Sequence, residues 1–188
     1  MGTSVNQSSP RTLNWNAVQA GYRDKDVPIA RLLTEIWRAA SNQPSGNISE
    51  LLARPVIASI GQLVAEAKTS EDLARKSAYV IAHSKESSLA SDIARRAAIQ
   101  SVVAPNPIGS FAERVFAEAT AYLVSRDLPG FVGTGRAKNV ADSLELKSAI
   151  VNRASEVARS VPVPKSLNAE SWSHHVVTVL TTLSGRKR

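Results

Sequence analysis

Apolar residues recur along most of this chain at intervals of three and four, the spacing that puts side chains on one face of an α-helix. The clearest run lies between Ser110 and Asp127, where one stripe contains Phe111, Val115, Ala119 and Tyr122. Proline and glycine residues precede this run and end it. We therefore predict an amphipathic helix here. We expect the core to form on it, because it carries two of the chain's three phenylalanines.

Polar residues mark the starts of several predicted helices. Ser110 and Glu113 have the arrangement of a capping box, in which a serine caps free amides and a glutamate bonds back to it. The same three-residue spacing joins two further pairs, Thr69 with Asp72 and Asn139 with Asp142. These signals predict where the helices after them begin.

The remaining stripes extend the helical prediction over the rest of the chain. Helices are expected near residues 28–40, 55–68, 70–82, 89–103, 139–161 and 168–184. In the helix after Asn139, the residues expected to face inward are Val140, Leu144, Val151, Ala154, Ala158 and Val161. The short run 176–183 is rich in β-branched residues, but its spacing suits a helix better. The fold class predicted is an all-α, single-domain bundle of about seven helices with short loops.

The two ends of the chain differ from this pattern. We interpret residues 1–14 as a flexible N-terminal arm, 15–184 as the helical domain and 185–188 as a basic C-terminal tail. Trp15 stands where the arm meets the domain. It is a candidate for subunit contact, with packing onto the edge of its own domain as the alternative.

Composition excludes several classes of protein. The chain has 188 residues, 43% hydrophobic, which is typical of a globular domain, and it has no cysteine. Disulfide frameworks and thiolate chemistry are therefore excluded. The polar N-terminus does not resemble a signal peptide, and we expect no apolar run long enough to span a membrane. These observations favour an intracellular, cytoplasmic protein that makes no membrane contact.

Net charge is +7 and is unevenly distributed. Residues 1–94 contain ten Lys or Arg against nine Asp or Glu, whereas residues 95–188 contain thirteen against seven. The tail Arg186, Lys187 and Arg188 supplies three of these positive charges. A basic surface of this kind attracts nucleic acid, anionic lipid or acidic proteins through a Coulomb term that does not depend on sequence.

The loop 128–138 is the most unusual connection. Gly130, Gly133 and Gly135 precede Arg136 and Lys138, with a predicted helix start directly after them. A nucleotide-cleaving phosphate loop would need Lys and Ser or Thr where the chain has Arg136 and Ala137, and would follow a strand. Two interpretations stay open: a looser anion site built from amides and the two cations, and a flexible helix–helix connection.

Arg95 and Arg96 invite a second hypothesis. They belong to the later of two helices joined by a short polar turn, so a helix-turn-helix would make them candidates for phosphate or base contacts. The turn lacks the expected glycine, and an ordinary helical hairpin is the alternative.

No combination of residues indicates a catalytic or metal-binding site. His174 and His175 are adjacent and cannot easily face one metal, and no cysteine is present to complete a site. Asp142 and Glu145 fit a charge bias at a helix start better than an acid–base pair. No serine lies in a nucleophile elbow. We therefore expect no catalytic residue, metal or cofactor.

The leading hypothesis is a non-enzymatic, basic helical protein that contacts nucleic-acid phosphates as a subunit of an oligomeric or nucleoprotein assembly. The expected contacts are Arg95, Arg96, Arg136, Lys138, Arg186, Lys187 and Arg188. The alternative is a protein–protein adaptor or regulatory bundle without nucleic acid. It predicts dispersed charge and an exposed apolar groove, whereas an enzyme predicts a deep pocket with converging polar groups.

Overall fold

A computed structural model describes residues 10–42, 47–84 and 88–185. These ranges form helices and no strand, apart from an isolated bridge between Thr134 and Ala137. The predicted all-α multi-helix bundle is thereby confirmed. The helices are α1 (Pro10–Arg23), α2 (Ile29–Ser41), α3 (Ile48–Leu52), α4 (Pro55–Glu66), α5 (Ser70–His83), α6 (Ser88–Ser101), α7 (Pro107–Asp127), α8 (Val140–Ser160) and α9 (Ala169–Leu183), with a 3-10 turn over Leu128–Phe131 between α7 and α8.

Helix α7 forms the centre of the bundle. It packs most extensively against α6 and α8, and it also contacts α4 and α2. Phe111, Val115, Phe116 and Ala119 are completely buried on it. Burying one large apolar side chain contributes about 1.5–3 kcal/mol. The expectation that the core forms on this helix is therefore confirmed.

An aromatic cluster joins α7 to α9 and α2. The rings of Phe111 and Trp172 are 5.9 Å apart, those of Phe116 and Trp172 6.4 Å, and those of Trp37 and Phe116 6.3 Å. Such tilted pairs contribute about 0.5–1.5 kcal/mol beyond burial. The Trp172 indole Nε1 donates to the carbonyl of Leu52 at 2.7 Å, which also fixes α3 against α9.

Two of the three predicted helix caps are confirmed, and the third is wrong. Asp72 donates its amide to Thr69, and Asp142 donates its amide to Asn139, as predicted. The capping box at Ser110 was wrong, because α7 begins three residues earlier at Pro107. Proline suits the first helical position, where no amide is needed, and Asn106 is the cap, accepting from the amide of Gly109. The predicted partner of Ser110, Glu113, instead binds Arg159 of α8.

One helix was not predicted, and the shortest helix corresponds to the single helical turn considered for residues 49–53 before Pro55. Helix α1 begins at Pro10, inside the segment interpreted as an arm, and it buries Val18 and Tyr22 in the core. Residues 1–9 lie outside the described part of the chain. Helix α3 has only five residues, and Pro55 separates it from α4 because proline favours an extended residue before it. Short or weakly periodic segments give little signal from spacing alone.

Three apolar residues predicted to face the core lie at the surface. Tyr122 is 43% exposed, Leu144 59% and Val140 67%. Helix α8 instead buries Leu146 and Ile150, whose stripe runs beside the predicted one. Both stripes of α8 are apolar, so the sequence could not tell which one its neighbours cover.

One stretch has the length and apolar composition that a membrane span needs, contrary to our expectation. It is Ile48–Glu66, with 19 residues and a mean hydropathy of 1.3. The stretch consists of α3 and α4, which are broken at Ala53 and Arg54. Of its most apolar 18 residues, 44% are buried against the rest of the bundle. Core helices have the same composition, so this is weak evidence for a membrane.

Candidate functional site

Arg136 acts as a brace between two distant segments. Its Nε donates to the carbonyl of Asp24 and its Nη2 to that of Lys25, both at 2.7 Å, and Nη2 also donates to the carbonyl of Val27. These carbonyls belong to the connection between α1 and α2. The remaining nitrogen, Nη1, is buried without a partner. The guanidinium therefore holds the loop onto this connection, and its donors are not presented to an external phosphate.

The amides of the glycine-rich loop are also used inside the protein. Gly133 donates to Ala137 at 2.6 Å, Thr134 to Phe131 at 3.1 Å and Arg136 to Tyr22 at 3.4 Å. An anion site of the kind considered above needs several amides that converge on empty space. Most amides of this loop instead maintain its own shape.

Gly135 explains why the loop is rich in glycine. Its φ is +53°, and a Cβ added there would lie 2.2 Å from the carbonyl oxygen of Arg23. No side chain fits at that distance. The glycine therefore allows the loop to approach the end of α1, and it is not evidence for a bound ligand.

Lys138 lies beside the brace on an open concavity of about 610 Å³. Its side chain is exposed and forms no ion pair in the described part of the chain. The concavity has both signs of charge, because it is lined by Lys25 and Lys138 and also by Asp142 and Glu145. Such a surface has no strong preference for an anion.

Arg95 and Arg96 share one carboxylate. Asp92, one turn earlier on α6, accepts from Arg95 Nη2 at 3.3 Å and pairs with Arg96 Nε at 2.9 Å. The two arginines keep 53% and 60% of their side-chain surface exposed. They are accessible, but one negative charge partly offsets their field. The turn of the proposed helix-turn-helix includes residues 85–87, which lie outside the described ranges.

The end of α9 is anchored to α2 by an arginine that we did not predict. Arg38 Nε donates to the carbonyl of Ser184 at 2.7 Å, and its Nη1 pairs with Glu35 at 3.1 Å. Gly185 follows with φ at +60°, the usual left-handed residue after a helix. Thr34 and Arg38 are its nearest side chains. Gly185 therefore lies against the outer face of α2.

A second cation lies on that outer face. Arg31 precedes Arg38 by seven residues, so the two share one side of α2, with Thr34 between them. Arg31 is exposed and forms no ion pair within the described residues. The predicted contacts Arg186, Lys187 and Arg188 lie outside those residues, but they follow Gly185 directly. Of the described residues, Arg31 and Arg38 lie on this face of α2, and three further basic residues follow Gly185 in the sequence. These five residues are together called the exit surface: Arg31, Arg38, Arg186, Lys187 and Arg188.

Trp15 packs partly against its own core. It is half-buried on α1, and the Arg126 guanidinium lies 5.2 Å from its ring centroid. A cation over a ring stabilises it by about 0.5–1 kcal/mol at an exposed site. This contact supports the packing alternative. The role of Trp15 in subunit contact stays a prediction.

His175 is completely enclosed in the aromatic cluster. It is 2% exposed, and its ring lies 5.6 Å from that of Trp172 and 6.1 Å from that of Phe116. Neither ring nitrogen forms a hydrogen bond of normal geometry. Burial lowers the pKa of His175, although the nearby carbonyl of Pro162 favours the protonated ring to a lesser extent. The side chain is therefore neutral and part of the core.

A depression in the surface crosses α6, α7 and α8. It has a volume of about 390 Å³ and is lined by Leu89, Asp92, Ile93, Arg96, Glu118, Ala121, Tyr122, Ser125 and Lys147. Acidic and basic groups are equally represented in it. We call it the α6–α8 groove.

The predicted site residues that the structure describes do not all line one depression. Arg96 lines the α6–α8 groove, whereas Arg136 and Lys138 line the concavity beside the brace, and no residue lines both. No group of three potential metal ligands lies among the described residues.

Comparison with family models, curated proteins and solved structures finds no match for this chain.

Proposed function

We propose that this protein is a non-enzymatic helical subunit that contacts nucleic-acid phosphates through the exit surface, within an oligomeric or nucleoprotein assembly. The observation that carries the proposal is the bond from Arg38 to Ser184, because it holds the end of α9 at a face of α2 that carries Arg31. The basic tail Arg186, Lys187 and Arg188 begins two residues after Ser184 in the sequence. Arginines and lysines grouped at one place add their fields, whereas the same charges dispersed over a surface do not.

The proposal changes the set of contact residues. Arg136 is left out, because its donors bind carbonyls. Arg38, Arg95 and Arg96 are secondary contacts, because Arg38 pairs with Glu35 and the other two pair with Asp92. Lys138 is secondary too, because Asp142 and Glu145 line the same concavity. Phosphate contacts of this kind position a protein on nucleic acid without reading the base sequence. Binding is therefore expected to be strongly salt-dependent and weakly sequence-dependent.

The test is a salt titration of binding to duplex DNA and to single-stranded RNA. We expect affinity to fall steeply between about 50 and 200 mM salt. Changing Arg186, Lys187 and Arg188 together to alanine should lower affinity at least tenfold. It should also reduce the slope of log K against log salt by about 2–3, since each phosphate contact contributes about 0.7–0.9.

The control removes the same charge elsewhere. A variant with Lys68→Ala, Arg75→Ala and Lys165→Ala loses three exposed cations away from the exit surface. It should keep most of the affinity and most of the slope. Absence of binding to either nucleic acid at low salt would contradict the proposal, as would equal losses in the two triple variants.

The α6–α8 groove favours a second candidate function. A protein–protein adaptor would present a depression with apolar walls and mixed charges, and this groove has Leu89 and Tyr122 beside Glu118 and Lys147. If neither nucleic acid binds at low salt, we expect the protein to be such an adaptor.

A further inference from the structure

The outer faces of α6, α7 and α8 carry more apolar surface than the fold uses. In the described part of the chain eight large apolar side chains are exposed, and five of them belong to these helices or to the turn after α6: Ile99, Val103, Tyr122, Val140 and Leu144. On α8 the exposed Val140 and Leu144 lie on one stripe with the half-buried Lys147 and Val151, because the four residues follow a four-three-four spacing. A helix with apolar residues on two sides commonly has neighbours on both.

The same face contains a groove that fits a partner. Ala121 and Ser125 of α7 are small, so this helix forms a low floor between Leu89 of α6 and Lys147 of α8. Tyr122 lies in the groove with 43% of its surface exposed. Aromatic side chains with apolar rings and a polar tip are enriched at the centres of protein interfaces.

Two charges in the groove remain without an ionic partner. Asp92 and Arg96 pair with each other, but Glu118 and Lys147 form no ion pair within the described residues. Glu118 accepts a hydrogen bond from Gln100 Nε2 at 3.1 Å. Both side chains are half-buried, which makes an unpaired charge more costly than on open surface.

A surface with one unpaired acid and one unpaired base is complementary to itself. In a two-fold dimer the same patch meets its own copy, so Glu118 of each chain can face Lys147 of the other. We propose that the α6–α8 groove and the apolar stripe of α8 form a self-association surface that binds a second copy of this chain. A polyanion would need one sign of charge and does not fit this face.

This inference specifies the oligomer that the proposed function requires, but it does not depend on nucleic-acid contact. The exit surface and the groove have no residue in common. Mass measurements without nucleic acid therefore test the dimer alone. A dimer that binds no nucleic acid would contradict the proposed function and leave this inference standing.

The experiment is light scattering or sedimentation over a dilution series, with charge reversals in the groove. The wild-type chain should have twice its monomer mass of 20.1 kDa. Glu118→Lys and Lys147→Glu should each be monomeric, because each places like charges opposite one another. An equimolar mixture of the two variants should restore the doubled mass, since every cross-pair is then attractive.

The control is Lys165→Glu, which makes the same charge change on a different surface, beside Gly61 and Leu167. It should remain a dimer. Far-ultraviolet circular dichroism should show equal helix content in all variants. A wild-type chain that is monomeric throughout the series, or single reversals that remain dimeric, would overturn the proposal. A mixture no heavier than its two components would overturn the two-fold pairing.

Discussion

Arg136 and His175 are both basic side chains that point into the protein, but Arg136 lies among polar groups and His175 among apolar ones. The guanidinium of Arg136 meets three backbone carbonyls of the α1–α2 connection. The imidazole of His175 meets aromatic rings and no hydrogen-bond partner of normal geometry. The region around Arg136 therefore supplies hydrogen-bond acceptors to a charged side chain, whereas the region around His175 favours an uncharged one.

The difference follows from the chemistry of the surroundings. A guanidinium cannot lose its proton, so a fold that encloses it must supply acceptors. The backbone carbonyls of Asp24, Lys25 and Val27 in the α1–α2 connection serve this purpose. Imidazole can be neutral near pH 7, so it can enter an apolar cluster without a counter-ion. The contribution of Arg136 to stability is thus independent of pH near neutrality, whereas that of His175 depends on pH.

The largest expected loss of stability comes from disturbing the loop that positions Arg136. Changing Gly135 to alanine should destabilise the protein by about 3 kcal/mol or more, because it combines an unfavourable positive φ with a clash against the backbone of Arg23. Urea unfolding followed by circular dichroism measures this loss.

Gly130→Ala is the matched control in the same loop. Gly130 has open space around its α-carbon and no positive φ. Its replacement should change the free energy of unfolding by less than about 0.5 kcal/mol. Equal effects at the two positions would mean that the loop does not approach α1 as described.

Removing the brace itself should have a somewhat smaller effect. Arg136→Ala deletes three hydrogen bonds and should cost about 2–3 kcal/mol, with water replacing part of what is lost. Arg136→Lys should recover less than half of this, because one ammonium cannot reproduce the geometry of the fork. Lys138→Ala, two residues away, should be nearly neutral.

The same variants separate structure from binding. Once allowance is made for the unfolded fraction, Arg136→Lys should bind nucleic acid as the wild type does, since its guanidinium is not on the exit surface. A specific loss of affinity in this folded variant would return Arg136 to the contact set.

The helices were predictable because their determinants are local. Spacing of apolar residues located α2, α4 and α7, and the caps at Thr69 and Asn139 act within three residues of themselves. The central role of α7 also followed from the concentration of Phe111 and Phe116 on one segment. These properties need no knowledge of the neighbours.

The roles of charged residues were not predictable, because they depend on long-range contacts. Arg136 reaches carbonyls 109–112 residues away, and Arg38 holds Ser184 across 146 residues. In the sequence, the first stood after glycines and resembled an anion contact, whereas the second was an ordinary outer residue of α2. The exposed stripe of α8 has the same origin, since its register depends on α7 and α2.

The last and smallest expected effect tests the aromatic side of the comparison. Burial lowers the pKa of His175 below the 6.5 of a free side chain. Above pH 6.5 both folded and unfolded chains carry a neutral ring, and stability does not change through this group. As the pH falls below 6.5, the unfolded chain binds a proton that the folded chain refuses. Stability should then decline by up to about 1.4 kcal/mol per pH unit, until the pH reaches the folded-state pKa.

Replacing His175 with phenylalanine should flatten this decline between pH 7 and pH 5 and leave the stability at pH 7 equal or higher, because the ring enters an aromatic cluster without polar atoms to bury. His174→Gln, an exposed neighbour, should keep the wild-type decline. The carboxyls of Asp72 and Glu113, whose pKa values their basic partners lower, lose their contributions only at more acidic pH. They do not contribute in this window. If the wild type and His175→Phe decline in parallel, then His175 is paired in solution, and the two regions do not differ as the structure indicates.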